Sequence, residues 1–495
     1  MARHHDGFWW SWPTGGRMKI SERFGLEATQ FTLDFVDIDT DVDTPLFLDP
    51  SFIGLRRNRW AEGASRTLRS FFETFVELYR AGELSEARAL LENLHEPNET
   101  CLGMSKGKPK GLAIDKGDGD KLFESIGKSK AIDTGVIEDL EDFRLFVKGI
   151  DRDKISDMTT NIIRRHLISY TQEQAELWEI ALTEGVPTGP YWSAANRQWE
   201  VDYTSMLVIE GKPIILTPKS VVSFSKRYTS SKYHAGFVVE FLRHEHLRMG
   251  GALVRHRKDG APYVNKKDII REVAPHDKEF LAAFTERHPE VFAQFKEWFR
   301  NTSRSIPNRE LDDIEPYAVV TYLKRRLGEI ASGRDQAAAF HRTAMSILEL
   351  VFYPDVVSPK KEREIHQGRK RVDFTMENAA ESGFFFRLPT THRIPSSYIF
   401  IECKNYSTDV ANPELDQLSG RFNINKGQFG LMLCRTVDDM PLLLQRCADF
   451  FDAKRELLIP LTDDDLARML NTYLESTDAP YEALLTERLR AIVDR

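Results

Sequence analysis

Two short segments carry the residue types of a hydrolytic metal site. In Arg371-Val372-Asp373-Phe374-Thr375-Met376 apolar and polar residues alternate. A strand here turns Val372, Phe374 and Met376 to the core and Asp373, with Arg371 and Thr375, to the other face. In Tyr398-Ile399-Phe400-Ile401-Glu402-Cys403-Lys404 the same period groups Ile399, Ile401 and Cys403, which leaves Glu402 and Lys404 together on the opposite face. Neighbouring strands would bring Asp373, Glu402 and Lys404 into one space. Two carboxylates so placed repel each other and call for a cation. Mg²⁺, with Mn²⁺ as its substitute, suits oxygen ligands completed by water and phosphate. A bound ion acidifies a water and polarises a phosphoryl oxygen. A lysine alongside orients or deprotonates the water and offsets charge developing on the phosphoryl group. That chemistry is phosphodiester hydrolysis.

The elements around these segments are legible from periodicity. A helix is expected from about Gln336 to Phe352, ending before Pro354, and then two short strands around a turn at Gly368. After a loop come the Tyr398–Lys404 strand and a helix with Asn412 as cap and Pro413 in its first turn. A strand over GQFGLMLCRT, a helix over Pro441 to Lys454, a strand over ELLIPLT and a last helix opened by Asp463–Asp465 complete the pattern. This order predicts an α/β domain, a mixed sheet flanked by helices.

With Asp373, 28 intervening residues, and then Glu402-Cys403-Lys404, residues 336–470 resemble the PD-(D/E)xK nucleases, the restriction-endonuclease-like superfamily. The likeness is nearest to its methylation-dependent restriction and phage-defence members. The resemblance implies that Asp373, Glu402 and the backbone carbonyl of Cys403 bind the metal and that Lys404 acts on the water. It also implies a supporting Gln417 and Arg421 at the place of a QxxxR-type pair. The implied function is a Mg²⁺-dependent DNA endonuclease in restriction or anti-phage defence, pairing as a homodimer to cut both strands. One departure stands out. Relatives often carry Phe-Glu early in the first helix, where this chain has Phe340-His341, so His341, Glu349, Glu362 or Glu364 is left to supplement the site. An RNA-directed nuclease of the same fold, or an inactive DNA-binding or scaffold subunit of a defence complex, are the alternatives. A structural salt bridge on an edge strand would also account for Glu402 and Lys404.

Substrate contacts are less sharply marked. Between Asp355 and Arg435 there are 12 Lys/Arg against 10 Asp/Glu. Six of these cations, Lys360, Lys361, Arg363, Arg369, Lys370 and Arg371, cluster on the hairpin leading to Asp373. With Arg421 they are the candidate DNA contacts, against the alternative of a solvated hairpin whose charges guard an edge. Phe384-Phe385-Phe386 reads as core or interface before a base-stacking platform.

The remaining motifs point to scaffold. The Gly- and Lys-rich segment 103–121 reads as a flexible surface loop, with contact to DNA or a partner as the second reading; it lacks a P-loop signature and EF-hand spacing. Alternate aspartates Asp37, Asp39, Asp41 and Asp43 read as a solvated edge strand ahead of a cation site. His244-Glu245-His246 is not HExxH, and on a helix the two histidines point apart. A helix capped by Ser156 or Asp157 carries Arg164-Arg165-His166, read either as exposed helix charge or as a nucleic-acid contact. Residues 95–111 and 214–222 resemble the N-terminal region of uncharacterised bacterial nuclease-family proteins, and no activity is carried over from that likeness.

The chain of 495 residues amounts to about three folding units of roughly 150 residues. Its 41% hydrophobic and 11% aromatic content excludes a wholly disordered chain. No run reaches the ~18–20 apolar residues of a membrane span, and the first residues lack a secretory pattern. Four scattered cysteines without a CxxC pair indicate a reduced, cytoplasmic setting. A net charge of −8 argues against wrapping nucleic acid nonspecifically. The expected organisation is a flexible leader over 1–17, a larger mixed α/β and helical sensing or binding region over 18–310 with up to two subdomains, a helical connector over 311–334 and the nuclease domain over 335–495. In the N-terminal region apolar residues fall at helical spacing from Trp60 to Leu94, and a strand-like stretch over Trp199 to Leu216 turns at Glu210-Gly211-Lys212. The expected partners are DNA and a separate ATPase or sensor subunit, since the chain has no ATPase motif; no membrane partner is expected.

Overall fold

The computed structural model describes residues 18–104, 117–129, 131–361 and 373–494. The sheet that positions Asp373 and Glu402 lies in the last third of the chain. Helix α1 (Ala337–Phe352) opens it. Its sequence, free of Gly and Pro, is apolar around most of its circumference, and from Thr343 onward it is entirely buried. It stops at Tyr353, whose extended backbone is what a following proline requires. Strand β1 (Val356–Lys360), β2 (Phe374–Asn378), β3 (Tyr398–Lys404), β4 (Phe429–Cys434) and β5 (Leu457–Leu461) then form one five-stranded sheet in sequential order. The β1–β2 and β2–β3 pairs are antiparallel, and β3–β4 and β4–β5 are parallel. The parallel strands β4 and β5 are buried throughout, as expected where helices cover both faces. Pro460 falls on the edge strand β5, where a missing N–H breaks no ladder.

Helices α2 (Gly383–Thr390), α3 (Asn412–Ser419), α4 (Met440–Lys454), α5 (Asp463–Glu475) and α6 (Glu482–Val493) flank the sheet. The mixed α/β layout agrees with the sequence reading, with four differences. The first strand lies upstream of its expected place, at Val356–Lys360. The loop after β2 contains α2, because Phe384 and Phe385 are core residues whose burial stabilises a short helix around Pro389. The cap of α3 is Ala411, with Asn412 already helical and Glu414 accepting from the Ala411 N–H at 3.1 Å. α5 starts with the expected acidic turn, a reciprocal Thr462–Asp465 box, but it is followed by α6. The Tyr481 ring just before α6 packs 4.9 Å from Phe385 and 5.1 Å from Phe352, which docks this end onto the core.

The N-terminal two thirds is mainly helical. The segment of helical spacing from Trp60 to Leu94 is split at Gly82, a left-handed C-cap at φ +80°, into helices Arg59–Ala81 and Leu84–Leu91. Further on, helix Arg152–Ile162 is capped upstream of the expected site by Asp151, which accepts from the Lys154 N–H. A kink at Ile163 leads into Arg164–Leu177. A three-stranded antiparallel sheet follows, with its tight turn at Glu210-Gly211 as expected, and then helices through Pro316–Glu329. Of the segment 103–121 expected to be a loop, residues 117–121 open the helix Gly117–Lys128, and 105–116 lie outside the described residues. One apolar cluster runs from Ile20 to Ile492, so the N-terminal region and the sheet share a core.

Two expected surface features are interior. Asp37 and Asp39 are buried, not on a solvated edge. Asp37 accepts from the Ser21 N–H at 2.9 Å and hydroxyl at 2.6 Å, and burial pushes its pKa up to about 6. Arg164 is buried and forks onto Glu99 at 2.8 and 3.5 Å, while His166 bonds Thr67. Arg164 and His166 therefore do not present a nucleic-acid face. His244 and His246 lie on helix Val239–Met249. The four cysteines are buried and unpaired. No described helix is long and apolar enough to cross a membrane.

Candidate active site

β3 is the central strand, and its C-terminal end carries the site. Phe374 pairs with Ile401; continuing that antiparallel register by one residue sets Asp373 opposite Glu402. Asp373 lies just outside β2, and its Oδ2 accepts from the Cys403 N–H. The other oxygen, Oδ1, is 3.3 Å from Nδ1 of His341 on the first turns of α1. Lys404 Nζ donates to Glu402 Oε1 at 2.7 Å and to Gln417 Oε1, on α3, at 3.1 Å. Arg421 acts on Glu402 electrostatically from beyond α3. The helix–strand–strand–helix arrangement thus gathers Asp373, Glu402, Lys404, Gln417 and Arg421, together with His341.

Both Glu402 and Lys404 are buried. Burial, and then the Asp373 charge, raise the Glu402 carboxyl above its ordinary range against the pull of Lys404. Burial works against the Lys404 ammonium, but the Glu402 contact outweighs it and leaves the pKa raised. Burial lowers the His341 pKa, opposed by Glu402 and by a bond to the Cys403 backbone. The Cys403 thiol is pushed far up by burial and by Asp373.

The donor set fits a divalent cation by an observation independent of spacing. Glu402 Oε2 is buried and has no hydrogen-bond partner among the described residues, an expensive state for a carboxylate oxygen unless something positive meets it. His341 nitrogen, an Asp373 oxygen and Cys403 Sγ also lie within 4.8 Å of one another. The residues that would hold the ion are Asp373, Glu402 and His341.

Of the alternatives for the supplementary ligand, His341 is at the site. Glu349 is instead in a buried cluster with Lys219, at 4.0 Å, and Asp34. Glu362 and Glu364 lie outside the described residues, as do Arg363, Arg369, Lys370 and Arg371. Lys360 is described and is committed elsewhere. It pairs with Glu377 at 2.9 Å and Glu173 at 3.2 Å, contacts that hold β1 against β2 and the helix Arg164–Leu177. Lys361 is 3.6 Å from Glu179.

Sequence reasoning missed two things here. Strand alternation put Cys403 on the far face, whereas its thiol lies near His341 and Asp373; Asp373 precedes the regular strand, so the alternation rule does not govern it. The strand end is also braced by Arg435, which donates to Asn405 at 2.9 Å, to Asp463 at 2.7 Å and to the Ile330 carbonyl at 2.7 Å. Nothing local marks Arg435 as different from a surface arginine.

A family model described as a domain of unknown function (DUF8370) matches residues 25–230, under half of the chain and wholly outside the sheet. No curated protein matches the chain. No solved structure matches it.

Proposed function

We propose that this chain is a divalent-metal-dependent phosphodiesterase that cuts DNA at Asp373, Glu402 and Lys404. The observation that carries the reading is that two bonded sets, Asp373 with His341 and Lys404 with Glu402 and Gln417, share the end of β3, where a buried Glu402 oxygen lacks a partner among the described residues. Arg421 adds a second positive charge that, like Lys404, acts on Glu402.

Each residue has a role that follows from its contacts. Asp373 and Glu402 supply carboxylate oxygens for Mg²⁺ or Mn²⁺, which when bound would acidify a water and polarise the scissile phosphate. Lys404, an ammonium donating to Glu402 and Gln417, is a positioned donor. It orients the attacking water and stabilises the negative charge that grows on the phosphoryl oxygens. Gln417 fixes the direction of that ammonium.

The test is cleavage of supercoiled plasmid by the purified chain with Mg²⁺ or Mn²⁺, alongside Asp373→Asn and Lys404→Ala. The expected result is nicking or linearisation that each substitution lowers by at least about 10²-fold. Undiminished cutting in both variants would remove the site assignment. Preferential degradation of RNA in the parallel assay would change the substrate.

A further inference from the structure

The region Val239–Glu272 carries an exposed hairpin on a helix that packs through Phe241, 5.8 Å from Phe284 and 4.6 Å from His288. Helix Val239–Met249 and helix Lys266–Glu272 are joined by a hairpin in which Arg255 pairs with Tyr263 and His256 with Pro262. Its turn closes with Arg257 N–H to Ala261 O and Gly260 N–H to Arg257 O, both 2.9 Å, with Gly260 at φ +84°. All eight residues from Arg255 to Pro262 are exposed. The root is anchored by a small apolar cluster of its own, Val239, Val264, Ile269 and Ala274, separate from the main core.

The charge of this projection is opposite to that of the protein. Residues 248–267 hold six Lys/Arg and one Asp in a chain of net charge −8. Part of that charge is neutralised locally: Arg255 pairs with Asp268 at 2.7 Å, Arg248 with Glu245 at 2.6 Å, and Lys266 with Glu240. Arg257, Lys258 and Lys267 have no ion pair among the described residues. Arg257, 5.7 Å from the Tyr263 ring, and Lys258 thus sit beside Asp259 at the hairpin tip, and Lys267 lies at the start of the next helix.

We infer that this hairpin is a docking surface for the phosphate backbone of duplex DNA. A two-stranded ribbon is narrow enough to enter a major groove, and Arg and Lys at its tip meet phosphates without reading sequence. The anchored root and the turn's own hydrogen bonds hold the ribbon in shape before contact, so little ordering is left to offset binding. A membrane surface fits less well. The tip sequence Arg-His-Arg-Lys-Asp-Gly-Ala-Pro carries no large apolar residue to bury among acyl chains. The hairpin also shares no residue with the metal site, so this inference stands or falls independently of the proposed hydrolysis.

The experiment is fluorescence anisotropy of a labelled DNA duplex with the full chain in EDTA, where binding is read without cleavage, over a salt series. The triple variant R257A/K258A/K267A is expected to bind about tenfold or more weakly. Its log K against log salt slope should be shallower by about 0.9 per lost phosphate contact, near 2.7 in all. A control removing three exposed cations elsewhere, R88A/K128A/K148A, is expected to leave that slope in place. Matching unfolding midpoints would show that the variants are folded. An unchanged affinity and slope in the hairpin variant, or an equal loss in the control, would overturn the inference. So would tighter binding of the wild type to duplex RNA or to anionic lipid vesicles than to DNA.

Discussion

The Asn58 side-chain amide donates to Glu377 Oε2 at 3.2 Å, and the Trp60 backbone N–H donates to the same oxygen at 3.2 Å. The other carboxylate oxygen takes Lys360 Nζ at 2.9 Å. Glu377 lies four residues after Asp373 on the strand that pairs with β3, and it is buried. A segment within residues 25–230 is therefore bonded directly to the strand that begins beside Asp373. Nearby, the Ser358 N–H on the irregular β1 donates to Asp34 at 2.9 Å, and Gln174 donates to the Pro359 carbonyl at 3.2 Å. The N-terminal region thus grips both strands of the hairpin that carries Asp373.

Removing that grip should cost stability and loosen the site together. Glu377→Ala leaves buried Asn58 and the Trp60 N–H without this acceptor and Lys360 with Glu173 alone, so it is expected to destabilise by about 3–5 kcal/mol. Glu377→Gln keeps the shape and is expected to cost about 1–3 kcal/mol. Denaturant midpoints at constant slope measure both. Equal midpoints for wild type and the alanine variant would contradict the interface.

Divalent ions should stabilise the fold through Asp373 and Glu402. A ligand bound only by the native state adds about 2.7 kcal/mol at a hundredfold excess over its Kd. The unfolding temperature is therefore expected to rise with Mg²⁺ or Mn²⁺ in the wild type and to stay fixed in Asp373→Asn. A rise of equal size in the variant would place the ion elsewhere. The three-carboxylate cluster Glu138–Asp139–Asp142 is the obvious other place, but Lys296 already sits against all three at 2.9–3.3 Å.

His341 should bias which ion is held. Imidazole nitrogen favours Mn²⁺ and Zn²⁺ over Mg²⁺, which prefers oxygen. His341→Ala is expected to weaken Mn²⁺ binding about tenfold and Mg²⁺ binding less, and His341→Glu to restore Mg²⁺ preferentially. Titration calorimetry with each ion on the three proteins reads the ratio. An identical ratio in all three would show that His341 only orients Asp373.

Much of the sheet was legible because its residues obey simple rules. Tyr398–Lys404 is a short apolar run closed by Glu402 and Lys404, α1 has helical periodicity and a Pro stop, and the Asp373-to-Glu402 pairing follows from two adjacent antiparallel strands. The misreadings have physical causes. Asp37 and Arg164 look like surface charge until their partners, Ser21 and Glu99, are brought in from elsewhere in the chain, and a sequence window does not contain those contacts. α2 was hidden because Phe384-Phe385-Phe386 has no polar face to reveal a period, and Lys360 looked like a DNA contact because Glu173 and Glu377 are remote in sequence.

The last prediction concerns charge rather than chemistry. Asp157 is half-buried, and this burial, with Asp153, Glu96, Asp151 and Asp43 around it, pushes its pKa up to about 8. The unfolded chain releases this proton near the ordinary value of 3.8 while the folded chain keeps it to about 8. Between those limits the native state binds more protons, so stability falls as pH rises through the window. Asp157→Asn removes the ionisation and should unfold at a higher temperature than wild type. The gap should be small at pH 5, widen by several degrees toward pH 8, and level off above it. Parallel melts of the two proteins across that range test the sign. A gap that is constant with pH would mean that Asp157 is ionised in the folded protein and that a cation, not a proton, compensates the acidic cluster.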